Sequence, residues 1–247
     1  MGVAMKKKIV CIMCISIGIT TAIVLNRGGS KSMEKDENIK DEYIKDEYIK
    51  YAIKEESVNP VFMYSDIPDN IKERMNGKSM PESSIISYED LAYIKLTHYG
   101  FDNEIHNGEM VVDKRLAQDV VDIFKELYDK KYPIEKVKLI DEYNADDNLS
   151  MNDNNSSAFC YRTIKGSNKI SNHGKGMAID INPFQNPHVI GESTNPVEAY
   201  MYSDRTIRHI GIIIEGDDCY NAFVKRGWTW GGHWSNPDYQ HFEKVLD

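Results

Sequence analysis

The sequence predicts an α+β fold, with a mostly antiparallel sheet and flanking helices. Three observations carry that prediction: one long amphipathic stripe, short alternating runs between polar loops, and no regular strand–helix–strand rhythm of the kind a parallel sheet requires. Leu116, Val120, Ile123, Phe124 and Leu127 fall at i, i+4, i+7, i+8 and i+11, which predicts a core-facing helix from about Lys114 to Lys130. Met177, Ile179 and Ile181 alternate with Ala178 and Asp180, as in a strand with one apolar face that ends before Pro183. Ser87-Tyr88-Glu89-Asp90 has the form of a capping box and predicts a short helix running through Leu96. Glu109 to Val112 and Val137 to Tyr143 read as strands, and the Asn-, Asp- and Ser-rich stretch from Asp146 to Ser157 as a loop. Phe242 and Val245 belong to a last strand or turn.

The chain divides into three parts. In residues 1–26, Lys6, Lys7 and Lys8 precede an uncharged run from Ile9 to Leu25. At 17 residues this run is at the short limit of a membrane span. An uncleaved anchor is expected, with a cleaved signal peptide as the alternative. In both cases the lysines stay inside and the remainder is exported; the uncleaved anchor gives a single-pass protein of the cell membrane with its main domain outside. Residues 27–57 hold a period-five repeat, seen in Asp41-Glu42-Tyr43-Ile44-Lys45 and Asp46-Glu47-Tyr48-Ile49-Lys50. That period matches no helical stripe, so the segment reads as a solvated stalk, with a partner-binding segment as the other reading. Residues 58–247 have globular composition.

The 247-residue chain carries a formal charge of −9 and no basic stripe, which argues against a nucleic-acid partner. Cys160 and Cys219 are the two cysteines outside the apolar run. Two are too few for a disulfide framework, and they either form one bridge or remain buried thiols.

Two clusters carry chemistry. In Ser171-Asn172-His173-Gly174-Lys175-Gly176-Met177-Ala178-Ile179-Asp180, a histidine and an aspartate are joined by a glycine-bearing turn and the predicted strand. The alternation puts Asp180 opposite the apolar face, where a buried carboxylate needs a cation or donors. The bland reading is a turn histidine beside a solvated aspartate. The second cluster is Trp228-Thr229-Trp230-Gly231-Gly232-His233-Trp234 with Asp238-Tyr239-Gln240-His241-Phe242-Glu243, which contains every tryptophan in the chain. Aromatic walls around polar groups suit a cleft, although tryptophans also pack cores. Two histidines and one carboxylate make a three-ligand N/O set, the number catalytic zinc takes while keeping a fourth position open. A carboxylate outside that set is then needed to move the proton.

The order S-x-H-x-x-G-x-A-x-D, then W-G-G-x-W, then D-x-x-H-F-E resembles the zinc D-alanyl-D-alanine carboxypeptidase and L-alanyl-D-glutamate peptidase family, from about Asp113 to the C-terminus. The resemblance implies one Zn²⁺ per chain on His173, Asp180 and His241, with Asp238 as general base and acid. The segment Phe159-Cys160-Tyr161-Arg162 resembles the one whose arginine polarises the scissile carbonyl, which gives Arg162 that role. Ser171 is implied as a substrate contact, its other reading being a turn-stabilising hydroxyl.

The pattern departs from the family at His233, where aspartate is common, and this puts the surroundings of the site in question without touching the ligands. His98, His106, His188 and His209 match no motif position and read as ordinary histidines. The implied substrates are peptidoglycan stem peptides. An anchored, resident enzyme points to D,D-carboxypeptidase activity, with L-alanyl-D-glutamate endopeptidase activity or a catalytically silent wall-binding module as alternatives.

Overall fold

The computed structural model describes residues 59–164 and 166–246. The predicted anchor and the period-five stalk lie outside the described residues. Among those described, no helix is long and apolar enough to cross a membrane. The globular unit is Ser57–Asp247.

Two small antiparallel sheets organise this unit. In the first, β1 (Phe62–Ser65), β2 (Leu91–Tyr99) and β3 (Ile105–Asp113) pair in that order. One face of this sheet packs against helix α2 (Ala117–Asp129), and its other face against helix α1 (Asp69–Met75). The predicted stripe on α2 is buried throughout, with Val120, Ile123, Phe124 and Leu127 at 1% exposure or less. Its first turn, Lys114–Leu116, is a 3-10 turn in which Asp113 accepts the Arg115 amide at 2.9 Å.

The capping box at Ser87 is present, but it opens only the 3-10 turn Tyr88–Asp90. The predicted helix through Leu96 is instead strand β2. The alternation is masked because both of its faces are covered: Ala92, Ile94 and Leu96 enter one core, Leu91 and Tyr93 the other. A strand buried on two sides reads as an unbroken apolar run. Strand β3 is longer than the predicted 109–112.

Between α2 and the second sheet, the predicted strand Val137–Tyr143 reduces to β4 (Lys136–Val137) followed by a 3-10 turn, Ile140–Tyr143. The predicted loop 146–157 holds helix α3 (Asp147–Asn152) and strand β5 (Asn155–Ser156), which pairs in parallel with β4. Asp146 caps α3 by accepting the Asn148 and Leu149 amides at 2.8 and 3.1 Å. Asp and Asn lower helix propensity in interiors but favour helix starts, and composition alone does not separate the two.

The second sheet has the order β6 (Ala178–Asp180), β10 (His241–Glu243), β9 (Thr229–Trp230). A hairpin of β7 (His188–Ile190) and β8 (Ser193–Asn195) and helix α4 (Asp218–Val224) complete the unit. Met177, Ile179 and Ile181 face the core, and Phe242 stacks on Phe223 with centroids 4.0 Å apart. Val245, in contrast, is 57% exposed.

On the α1 side of the first sheet, Arg74 bonds both oxygens of Glu109 and reaches Glu142 at 2.7 Å, while the Tyr93 hydroxyl donates to Glu109 at 2.5 Å. Burial alone would raise the Glu109 carboxyl, but Arg74 and Tyr93 hold it below its ordinary value of 4.5. The stability this network supplies is therefore fully present above pH 4.5 and is lost as pH falls through the lowered value. Glu109→Gln is expected to cost about 1–2 kcal/mol at pH 7. The gap should shrink in denaturant titrations at pH 3; an equal gap at both pH values would contradict this account of the network.

Candidate metal centre

The second sheet sets two of the predicted ligands side by side. Asp180 ends β6, His241 begins β10, and the two are direct antiparallel partners. A separation of 61 positions in sequence thus becomes adjacency on one face. His173 arrives from the turn His173–Lys175. Gly176 closes that turn at φ +71°, and a Cβ there would lie 2.4 Å from the Asp113 amide nitrogen, so only glycine fits.

His173 Nδ1 donates to the Ala158 carbonyl at 2.8 Å, which fixes the tautomer and turns Nε2 inward. Nε2 lies 3.3 Å from Asp180 Oδ2 and 3.2 Å from His241 Nδ1; that nitrogen is 3.1 Å from Asp180 Oδ1. One donor atom from each of the three residues falls within 4.8 Å of the others. Both imidazoles are buried, at 6% and 7% exposure.

The opposite edge of His241 is also held. Its Nε2 donates to Glu243 Oε2 at 3.0 Å, and the same oxygen accepts from the Asn172 amide at 2.8 Å. Each histidine therefore has an outer oxygen that orients it, as metal-ligating imidazoles usually do. Burial alone would raise the Asp180 carboxyl, yet His173 and His241 hold it well below the carboxylate range. Burial would lower His241, but Asp180 and Glu243 push it up to about 10. Binding a cation at Nδ1 must displace that proton.

Asp238 enters from the loop before β10. Its amide donates to Gly231 O at 3.0 Å and its carbonyl accepts the His241 amide at 3.2 Å. A Cβ on Gly231 would lie 2.7 Å from the Asp238 carbonyl oxygen, which explains the first glycine of the W-G-G motif. Asp238 Oδ1 is buried without a hydrogen-bond partner, and Oδ2 lies 3.9 Å from His188 Nδ1. Burial, reinforced by the Asp180 charge, raises its carboxyl above the ordinary value.

These groups open into a cleft of about 340 Å³ that also takes in Arg162, Ser171, Asp147, His188 and Trp234. Arg162 reaches it while ion-paired to Asp147, Nη2 to Oδ2 at 2.9 Å. Ser171 lines it too, although its hydroxyl oxygen accepts the Gly174 amide at 3.0 Å, so the turn-stabilising reading describes its observed bond. Of the tryptophans only Trp234 forms a wall, 5.1 Å from the His241 ring and 41% exposed; Trp228 and Trp230 are core. His233 is outside the cleft lining, with Nε2 3.4 Å from Glu215 and its ring edge-on to Trp230 and Tyr220. Cys160 and Cys219 are free and buried, which resolves the open choice in favour of thiols; burial pushes the Cys160 thiol up to about 11.

Three titratable residues of the cleft, Asp147, His188 and Glu243, carry no role in the sequence reading. Glu243 stood within a quoted motif and shares the His241 face of β10 by simple alternation, so its signal was available. Asp147 was hidden in the stretch read as loop. His188 has no motif at all, and only the β-bridge between His188 and Asp238 brings it in.

Residues 165–244 match the family model of D-alanyl-D-alanine carboxypeptidase. The similarity extends over 80 of the chain's 247 residues. The match is shorter than the predicted 113–247, but it contains His173, Asp180, Asp238 and His241; Arg162 lies just before it. No curated protein and no solved structure matches the chain. The His–Asp–His cluster lies within the matched stretch and fits a divalent metal by its donor set: two imidazole nitrogens, one carboxylate, and outer oxygens on both rings.

Proposed function

We propose that the cleft is the active site of a zinc peptidase that releases the terminal D-alanine from peptidoglycan stem peptides. The observation that carries this reading is the convergence of His173, Asp180 and His241 beside a buried carboxylate, Asp238, with one oxygen unpartnered.

His173 Nε2, Asp180 and His241 Nδ1 would hold the ion. When bound it supplies Lewis acidity, both to water and to a peptide carbonyl. Asp238 takes the proton of the attacking water and later returns it to the departing amine, and a carboxyl raised by burial suits both steps. Arg162 offers directed donors to the carbonyl oxygen as charge develops there. Trp234 gives the cleft an apolar wall beside His241. The rival reading, a silent wall-binding module, leaves the position and burial of Asp238 without a purpose.

The domain is further proposed to work outside the cell, tethered by residues 1–26 to the membrane and spaced from it by residues 27–57. Incubating the full chain with a pentapeptide stem should release D-alanine, and chelation should stop the release. Mass analysis of the products identifies the bond: loss of one alanine supports the carboxypeptidase, a cut between L-alanine and D-glutamate replaces it with the endopeptidase, and intact peptide with metal present refutes peptidase activity.

A further inference from the structure

We infer that Asp147 is a positioning residue, one that holds the Arg162 guanidinium in the cleft before substrate arrives. The inference rests on the reading of Arg162 as the group that meets the carbonyl oxygen.

The backbone of Arg162 is already fixed. Its carbonyl accepts the Ser171 amide at 3.0 Å, and Thr163 and Ile170 form an antiparallel bridge, so this segment is tied to the strip that leads into His173. A fixed backbone does not fix an arginine tip, which lies at the end of several rotatable bonds and loses substantial rotamer entropy when it is immobilised. Asp147 supplies the missing restraint. It is the first residue of α3, and because Asp146 caps that helix, the Asp147 carboxylate is left to point into the cleft. There its Oδ2 meets Arg162 Nη2 at 2.9 Å, with each side chain 33% exposed. A guanidinium has five N–H donors. The ion pair engages one terminal nitrogen and leaves others to face a substrate oxygen. The Cys160 thiol, which also feels the Arg162 charge, is a weak neighbour and cannot replace a carboxylate.

The pair differs from an incidental surface bridge in its setting. Both partners line the cleft that contains the metal cluster, and their elements are anchored separately, one by a helix cap and the other by the bridge to residues 170–171. A guanidinium displaced by about 1 Å from a reacting carbonyl can cost on the order of 100-fold in rate.

The test uses the metal-loaded full chain and a pentapeptide stem. Asp147→Asn and Asp147→Ala should lower kcat by about 10- to 100-fold, with metal content unchanged and KM shifted far less. Asp147→Glu should recover part of the loss. In the background of Arg162→Ala, Asp147→Ala should cost nothing more. Full kcat in Asp147→Ala, or losses that multiply in the double variant, would overturn the inference. A second readout does not depend on turnover: the ¹⁵N signals of the Arg162 guanidinium, assigned with Arg162→Lys. Slow, resolved Nη signals in the unaltered chain that merge in Asp147→Asn support the inference; merged signals in the unaltered chain refute it. If no stem peptide is cleaved, the peptidase reading fails by itself and the NMR result still decides whether Asp147 holds Arg162.

Discussion

Asp238→Ala should lower kcat by about 10²- to 10⁴-fold, the range that a positioned proton-transfer group contributes, while the chain keeps its metal. The two halves of that expectation come from different parts of the structure. The three candidate ligands bond to one another and to Ala158 and Glu243, and the Asp238 carboxylate belongs to none of those contacts. Its removal therefore leaves the cation's donor set intact. What disappears is the only carboxylate at the cluster whose Oδ1 is buried and unpartnered among the described residues. Metal analysis alongside steady-state kinetics checks both halves. Unchanged turnover would remove Asp238 from the reaction, and loss of metal would make it a ligand.

His241→Ala should have the opposite signature, with metal and activity lost together. A catalytic zinc site has only three protein ligands, so the loss of one should exceed the 10- to 100-fold in affinity that follows loss of an outer hydrogen bond. Glu243→Ala supplies the internal comparison, since Glu243 bonds only the far edge of the His241 ring and the Asn172 amide. It should weaken metal binding by about 10- to 100-fold without abolishing it. If the two variants bind metal equally well, His241 is not a ligand. A denaturant titration of each variant separates loss of the site from loss of the fold, because removing His241 also takes a partner from the buried Asp180.

The site was more legible in the sequence than the fold was. The resemblance carried by S-x-H-x-x-G-x-A-x-D and D-x-x-H-F-E pointed to His173, Asp180, His241 and Asp238, and the fold brings a donor atom from each of the first three within 4.8 Å of the others. Local rules failed where tertiary cover overrode them. Leu91–Tyr99 looked helical after a genuine capping box because apolar contact on both faces removes the period-two signal. Asp147–Asn152 looked like loop because capping residues and loop residues are the same residues. That second miss concealed Asp147, whose significance comes from meeting Arg162, 15 positions downstream, across the cleft. His233 stood out in the motif but points to Glu215 instead of the cluster. Pairings of this kind depend on which elements face each other, and no single segment records that.

The central claim is that three side chains share one divalent ion. A competitive chelator titration of the full chain with Zn²⁺, set beside the triple variant His173→Ala, Asp180→Ala, His241→Ala, tests it most directly. One tightly held ion per chain, lost in the variant, is the predicted result; equal binding by both, or none by the unaltered chain, would contradict it.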